Sequence, residues 1–271
     1  RGALPNYLKS HSQGEYIFDY AWAEAFSRAG GQYYPKALSA IPFTPATGPR
    51  LLVAASDPDG DALRRGLAEG AQRITSELGL SSFHVNFVND EDAPALQAAG
   101  FLERHDQQFH FTNAGFADFD GFLETLSSKR RKTVRRERRD ALASGLTIRW
   151  ATGSDLTEAD FNAFYAFYQD TGSRKWGQPY LTRAFFTEVL EHLADDTLLI
   201  LAEREGQPIA GALNFIGGDT LFGRNWGCLE DHPFLHFEVC YYQAIDFALA
   251  RGLKRVEAGA QGGHKLARGY L

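Results

Sequence analysis

Residues 231–238 read DHPFLHFE and place Asp231, His232, His236 and Glu238 within eight consecutive positions. A carboxylate entering a helix can take a proton from a substrate or orient it, so Glu238 is a candidate base. The plain alternative is an acid that complements the helix dipole. His232 and His236 have the four-residue spacing of two ligands on one helical face. Pro233 keeps the chain in a loop at His232, however, and no third ligand is evident. No metal is expected, and His236 is kept as a substrate contact.

A second group is VEAGAQGGHK, residues 256–265. Glu257 ends a strand pattern, and Gly259, Gly262 and Gly263 leave backbone bare for close approach of a ligand. His264 supplies a titrating group and Lys265 a cation, with Gln261 between the glycines. Catalytic candidates are therefore Glu238, Glu257 and His264. In RKWGQPY, residues 174–180, Trp176 and Tyr180 offer stacking surfaces. Arg224 and Trp226 share a strand face at period two and suit either substrate or a mutual cation–π contact. There is no convincing Ser-His-Asp or activated-cysteine arrangement. A reaction without a covalent enzyme intermediate needs none, only a base and positioning.

The strongest charge signal is SSKRRKTVRRERRD, residues 127–140. Eight of the eleven residues 129–139 are Lys or Arg, giving a local net of +7 in a chain of net −6. Arg and Lys are good helix formers, and a solvated face is the plain reading. Eight like charges in three turns nevertheless repel one another, and an external anion would relieve them. A membrane-surface helix needs an apolar face, and the stripe Leu126, Arg130, Val134, Ala141 is interrupted by a cation. A long nucleic acid fits poorly: the pI is near 5.8, and no aromatic residues are interleaved with the cations. A compact phosphate fits best, with Lys129, Arg130, Lys132, Arg135 and Arg136 as its contacts.

These groups need elements to hold them. YIFDYAWAEAFSRAGG puts Phe18, Trp22, Ala25 and Phe26 on one helical stripe, and KALSAIPF and RLLVAAS read as strands. SDPDGDALRRGLAEGAQRITSELG is a helix with Leu63, Leu67, Ile74 and Leu78 as its buried side. SFHVNFV and FLERHDQQFHFTN add a strand and a strand or hairpin. The basic helix closes at Gly145 and leads to strand LTIRWA. Two helices follow, one with a core stripe of Phe161, Phe164, Tyr165 and Tyr168, the other capped by Thr182. TLLILAERE, QPIAGALNFIGG and TLFGRNWGC form a meander joined by short turns. A helix ending at Gly252 and strand KRVEAGA complete the pattern.

With 271 residues and 44% hydrophobic content, the chain has material for two cores. The longest apolar runs, 51–55 and 198–202, are far short of the roughly 20 residues of a membrane span. Cys228 and Cys240 show no metal spacing, consistent with a reduced, cytoplasmic setting. The chain contains no methionine and begins at Arg1, so its ends are expected to be incomplete.

LSSKRRKTVRRERRDALASGLTIRW resembles the basic helix and following strand of FemAB-like peptidyltransferases, a branch of the acetyltransferase (GNAT)-fold superfamily. YLKSHSQGEY, IPFTPATGPRLL, KWGQPYLT and RNWGCLEDHPFLHFEVCYYQAIDFALARGLKRVEAGAQGGHKLARGY resemble a FemAB-like group of N-acyltransferases linked to peptidoglycan biosynthesis or recognition. The resemblance covers nearly the whole chain. It implies an α+β (mixed α/β) architecture of tandem GNAT-like domains, 1–125 and 126–271, the second opening with the basic helix. It also implies acyl or aminoacyl transfer to an amine of a peptidoglycan-related or other phosphorylated substrate, and it favours Lys265, since the family has a lysine in a similar C-terminal segment. Aminoacyl-tRNA or acyl-CoA are the expected donors. No permanently bound cofactor, no DNA and no membrane span are expected; tRNA is an expected partner only as donor. CLEDHPFLHFE departs from the glycine turn that holds the CoA pyrophosphate in acetyltransferases, which weighs against acyl-CoA. The alternatives are an acyl-CoA-dependent N-acetyltransferase and a non-catalytic protein binding cell-wall fragments or RNA.

Overall fold

The segment KALS is buried at all four positions because it is the middle strand of a small sheet. The computed structural model describes residues 1–174, 179–259 and 262–271 and divides the chain into two units, Arg1–Gln107 and Gln108–Leu271. The first unit contains β1 (Gly2–Ala3), β2 (Tyr7–Lys9), α1 (Tyr20–Arg28), β3 (Lys36–Ser39), β4 (Leu52–Val53), α2 (Gly60–Glu77), β5 (Phe83–Val85) and α3 (Ala93–Ala98). β3 pairs antiparallel with β2 and parallel with β5, while β1 and β4 form a separate antiparallel pair.

Two expected apolar faces in this unit are corrected. α2 buries Ala68 and Ala71, whereas Ile74 and Leu78 are 41% and 59% exposed. The core here is small, built on Leu51, Ala68, Ala95 and Leu96, and alanines let the helix lie close to it. α1 has no buried residue at all, and Phe18, Trp22 and Phe26 are exposed. Its start is fixed instead by the buried Asp19, whose carboxylate accepts from Lys36 and Tyr33.

The second unit contains β6 (His110–Thr112), α4 (Phe119–Glu124), α5 (Ser128–Ala141), β7 (Thr147–Thr152), α6 (Glu158–Ser173), α7 (Arg183–His192), β8 (Thr197–Arg204), β9 (Gln207–Gly217), β10 (Thr220–Cys228), α8 (Leu235–Phe237), α9 (Gln243–Ala250) and β11 (Arg255–Glu257). A π turn, Glu238–Tyr242, joins α8 to α9, so residues 235–250 run as one helix with a bulge. The sheet order is β6-β11-β10-β9-β8-β7, antiparallel except for the parallel pair β10 and β11.

β8 is apolar on both faces because both are covered. Leu199, Leu201 and Leu213 pack on Phe161, Phe164, Phe167 and Phe186 from α6 and α7. Leu198, Ile200 and Leu221 pack on Val239, Tyr242, Ile245 and Phe247 from the bulged helix. Each such side chain contributes about 1.5–3 kcal/mol of burial. A capping box between Thr157 and Asp160 starts α6, and Ser127 caps α5 by accepting from the Arg130 amide. Thr182 sits at the start of α7 without a side-chain cap bond.

The expected boundary at 125/126 moves to 107/108. β6 pairs residue for residue with β11, and Phe122 and Leu123 of α4 lie in the second unit's core. Of FLERHDQQFHFTN only His110–Thr112 is strand.

Candidate functional site

The parallel pairing of β10 with β11 lasts three residues, Thr220 to Arg255, Leu221 to Val256 and Phe222 to Glu257. Against β9 the register slips between Gly223 and Asn225, a bulge at Arg224. Beyond Phe222, residues 223–228 of β10 have no strand partner on the β11 side among the described residues. At Cys228 the backbone is taken up by Thr171 and Arg174; over 223–227 the β11-facing edge has no ladder partner, and its N–H groups are of the donor type that stabilises an oxyanion. A Cβ on Gly223 would stand 3.2 Å from the Glu257 carbonyl oxygen, so the strands are close where they part.

Side chains from β10, the bulged helix and the segment after β11 form a connected series. Trp226 meets His236 edge-on at 5.3 Å between ring centroids, and His236 meets Tyr241 at 5.4 Å. Tyr241 Oη lies 3.1 Å from His264 Nε2. The extra residue of the π turn sets the position of Tyr241, a use of π bulges common at functional sites. His264 is exposed. Partial burial of its ring, then Arg268 and Lys265, push its pKa below the ordinary imidazole value, so it is neutral at pH 7. Gly262 precedes it at φ 104°, where a Cβ would collide with the imidazole.

Lys265 is 4% exposed, and burial pushes its pKa down to about 8. It donates to the carbonyl oxygens of Ala258 and Gly259 and lies 5.5 Å from the Phe109 ring centroid. It thus ties down the segment leaving β11. Glu257 is 6% exposed with its pKa raised by burial; His110 and Arg255 stand 3.8 and 3.9 Å from its Oε1.

The assignment of Glu238 as an open base is corrected by its surroundings. It has no exposed surface, accepts Arg138 through both oxygens at 3.1 and 2.9 Å, and also accepts from Gln243 at 2.7 Å. Burial raises its pKa, and Arg138 offsets part of that rise. Arg138 donates to Asp246 as well, at 2.6 Å. One residue earlier, buried Glu137 accepts from Arg268 at 3.1 and 2.8 Å and from the Tyr242 hydroxyl. The inner face of the basic helix therefore holds the bulged helix and the C-terminal segment in place.

Four of the five expected phosphate contacts lie on its outer face, and Arg130 lies in the first turn in line with buried Val134 and Glu137. Lys129, Arg130, Lys132, Arg135 and Arg136 are all exposed. Arg135 pairs with Asp120 at 2.9 Å, and Arg136 lies 5.9 Å from the Phe234 ring centroid. Lys129, Arg130 and Lys132 have no ion pair among the described residues. Tyr180 packs edge-on to Tyr168, and its amide donates to the Tyr168 hydroxyl at 2.8 Å. Trp176 and Gln261 lie outside the described residues. Tyr241, Arg138, Arg268 and Glu137 were not singled out by sequence reasoning; Glu137, the one acid inside the basic run, was their available signal.

Solved structures share this fold. L-PGS from Bacillus licheniformis is 10% identical with a TM-score of 0.57, over 85% of this chain and 66% of that one. The C-terminal DUF2156 domain of a protein assigned as lysylphosphatidylglycerol synthetase from Agrobacterium fabrum is 11% identical with a TM-score of 0.59, over 88% and 69% of the two chains. FemX is 14% identical with a TM-score of 0.55, over 84% and 73%. At such identities the likeness is one of fold, and the chain spans just under two thirds of the first structure's length. No curated protein sequence matches. Among the described residues no helix is long and apolar enough to cross a membrane. The mixed α/β, FemAB-like architecture agrees with a family match over residues 1–271: the chain belongs to the FemAB-like family, described as peptidoglycan biosynthesis/recognition.

Proposed function

We propose that the chain is an N-acyl- or aminoacyltransferase acting on an amine of a peptidoglycan-related, phosphate-bearing substrate in the cytoplasm. The observation that carries this reading is the parting of β10 from β11 beside the His264–Tyr241 pair. The free edge of β10 offers N–H groups to the oxygen of a reacting carbonyl. In the tautomer that donates Nε2–H to the Tyr241 oxygen, His264 keeps a lone pair on Nδ1 for the proton of the acceptor amine. The amine nitrogen bonds to the acyl carbon, the bond to the donor's leaving oxygen or sulfur breaks, and His264 returns the proton to the leaving group. The exposed cations of α5 hold the phosphates of donor or acceptor. Lys265 fixes the backbone after β11, and Trp226, His236 and Tyr180 belong to the substrate surface.

Mass spectrometry tests this with aminoacyl-tRNA and acyl-CoA donors and a cell-wall precursor extract, reading for a mass-shifted amine. His264→Ala is expected to lower turnover about 10²–10⁴-fold with little loss of stability, since the side chain is exposed. The wild-type rate should fall only as the pH drops below the ordinary imidazole range, because the His264 pKa is lowered. A non-catalytic reading, recognition of a cell-wall fragment, is favoured by one observation: Glu238 is sealed in an ion pair rather than open as a base. Binding of the fragment without turnover by any donor would establish that reading instead.

A further inference from the structure

Lys36 has no exposed surface, and its ammonium directs its three N–H bonds to Ser12 Oγ at 2.8 Å, Glu15 Oε2 at 2.9 Å and Asp19 Oδ2 at 2.7 Å. Each carboxylate thus gives one oxygen to the lysine and keeps the other. Those others, Glu15 Oε1 and Asp19 Oδ1, are buried and accept no hydrogen bond. Glu15 is 3% and Asp19 1% exposed. Buried polar atoms are nearly always satisfied, and two orphans of one sign in one cluster call for a cation or a donor.

A third group borders the same cluster. His84 of β5 brings Nδ1 to 3.4 Å from Lys36 Nζ and 4.0 Å from Asp19 Oδ2. One donor atom from each of Glu15, Asp19 and His84 lies within 4.8 Å of the others. Two carboxylates against one ammonium leave a net charge of −1 where water is excluded, an expensive arrangement without a further cation.

The backbone supports the convergence. Glu15 and Asp19 come from the loop SHSQGEYIFD, which turns through the left-handed region at Tyr16 (φ 58°) and Phe18 (φ 48°). Aromatic residues seldom adopt such angles, at a cost of about 1–3 kcal/mol each. The turns bring both acids, four positions apart without a helix, onto one nitrogen.

We propose that Glu15, Asp19 and His84 form a site for one divalent transition-metal ion, bound by the carboxylate oxygens that Lys36 leaves free and by an imidazole nitrogen. Lys36 holds each carboxylate by its other oxygen, an outer-shell role. Two oxygens and one nitrogen, without thiolate, suit Mn²⁺, Fe²⁺ or Zn²⁺. Binding takes the local charge from −1 to +1, so Lys36 also limits the affinity. The site is formed within the first unit and is independent of the acyl-transfer reading of the second.

The full chain, stripped with a chelator and dialysed, is titrated calorimetrically with Mn²⁺, Zn²⁺ and Mg²⁺, and bound metal is counted by elemental mass spectrometry. The expected result is one Mn²⁺ or Zn²⁺ per chain, with affinity reduced at least about tenfold in Glu15→Gln and Asp19→Asn and increased in Lys36→Met. Circular dichroism and thermal midpoints establish that each variant is folded. Should the two acid variants fail to fold, His84→Gln decides, because that side chain is 21% exposed. Wild type that binds nothing while Lys36→Met binds would overturn the proposal, making the ammonium the site's permanent cation. Equal binding by wild type and the ligand variants would overturn it too, placing the ion on surface carboxylates.

Discussion

α5 presents two faces of similar composition in opposite physical states. Inward, Glu137 and Arg138 are held in multiply bonded ion pairs with Arg268, Glu238 and Asp246. Outward, Lys129, Lys132, Arg135 and Arg136 stand in solvent, as does Arg130 in the first turn. A dense run of charge is therefore two devices, one that locks the helix to the fold and one free to meet a ligand. Charge density alone does not separate them; burial does, because a charge removed from water must be matched by another.

The largest effect that could break this comparison lies at Glu137. Glu137→Ala leaves the Arg268 guanidinium, 9% exposed, without its carboxylate and removes the acceptor of the Tyr242 hydroxyl. Breaking a buried pair from one side costs about 3–5 kcal/mol, read as a fall in the urea midpoint. A loss under about 1 kcal/mol would mean that Arg268 finds water and that the inner face is no lock.

Next comes Arg138→Met, which strands Glu238 and Asp246 together. Burial already raises both carboxyl pKa values, and Arg138 is what opposes the rise. A carboxyl whose folded pKa is raised penalises folding above that pKa, and the penalty fades as the pH falls through it. The stability difference between wild type and variant should therefore shrink on acidification from pH 7 towards 5. Arg138→Met with Glu238→Gln should recover part of the loss at pH 7. A deficit independent of pH would assign the effect to lost packing of Arg138 on the Phe119 ring, 4.3 Å away.

Much of the second unit was legible because its elements are long and periodic. The meander, the aromatic stripe of α6 and the basic helix follow from alternation, 3.6-residue spacing and caps. The first unit was less legible: its strands are two to four residues long, the α1 stripe is exposed, and of the α2 stripe Leu67 packs on the core while Ile74 and Leu78 are exposed. Helical spacing identifies a face but not whether a core exists to receive it. Candidate residues divide the same way. Trp226, His236, His264 and Lys265 are gathered by β10, the bulged helix and the segment after β11. Glu238 is drawn into the lock by a residue 100 positions away, and sequence offers no signal for such a pairing. Ser12, Glu15 and Asp19 stood in the quoted YLKSHSQGEY and YIFDY stretches, but their convergence on Lys36 depends on left-handed turns at aromatic residues, which no turn rule anticipates.

The smallest stability effect is expected on the outer face and first turn, and it sharpens the contrast most. Lys129→Gln, Arg130→Gln and Lys132→Gln should each change stability by no more than about 0.5 kcal/mol, since none has an ion pair among the described residues. Together the substitutions should slightly stabilise the helix: Lys129 and Arg130 lie in its first turn, where the dipole is positive and favours anions. Their combined loss should weaken binding of CoA, pyrophosphate or aminoacyl-tRNA, and for tRNA it should flatten the dependence of affinity on salt by about 0.7 per lost phosphate contact, as for single strands. The thermal midpoint and the salt slope are measured on the same triple variant. A fall in stability comparable with that of Glu137→Ala would merge the two faces into one structural network. Unchanged midpoint and unchanged affinity for all three probes would return the outer face to an ordinary solvated surface and remove phosphate binding from α5.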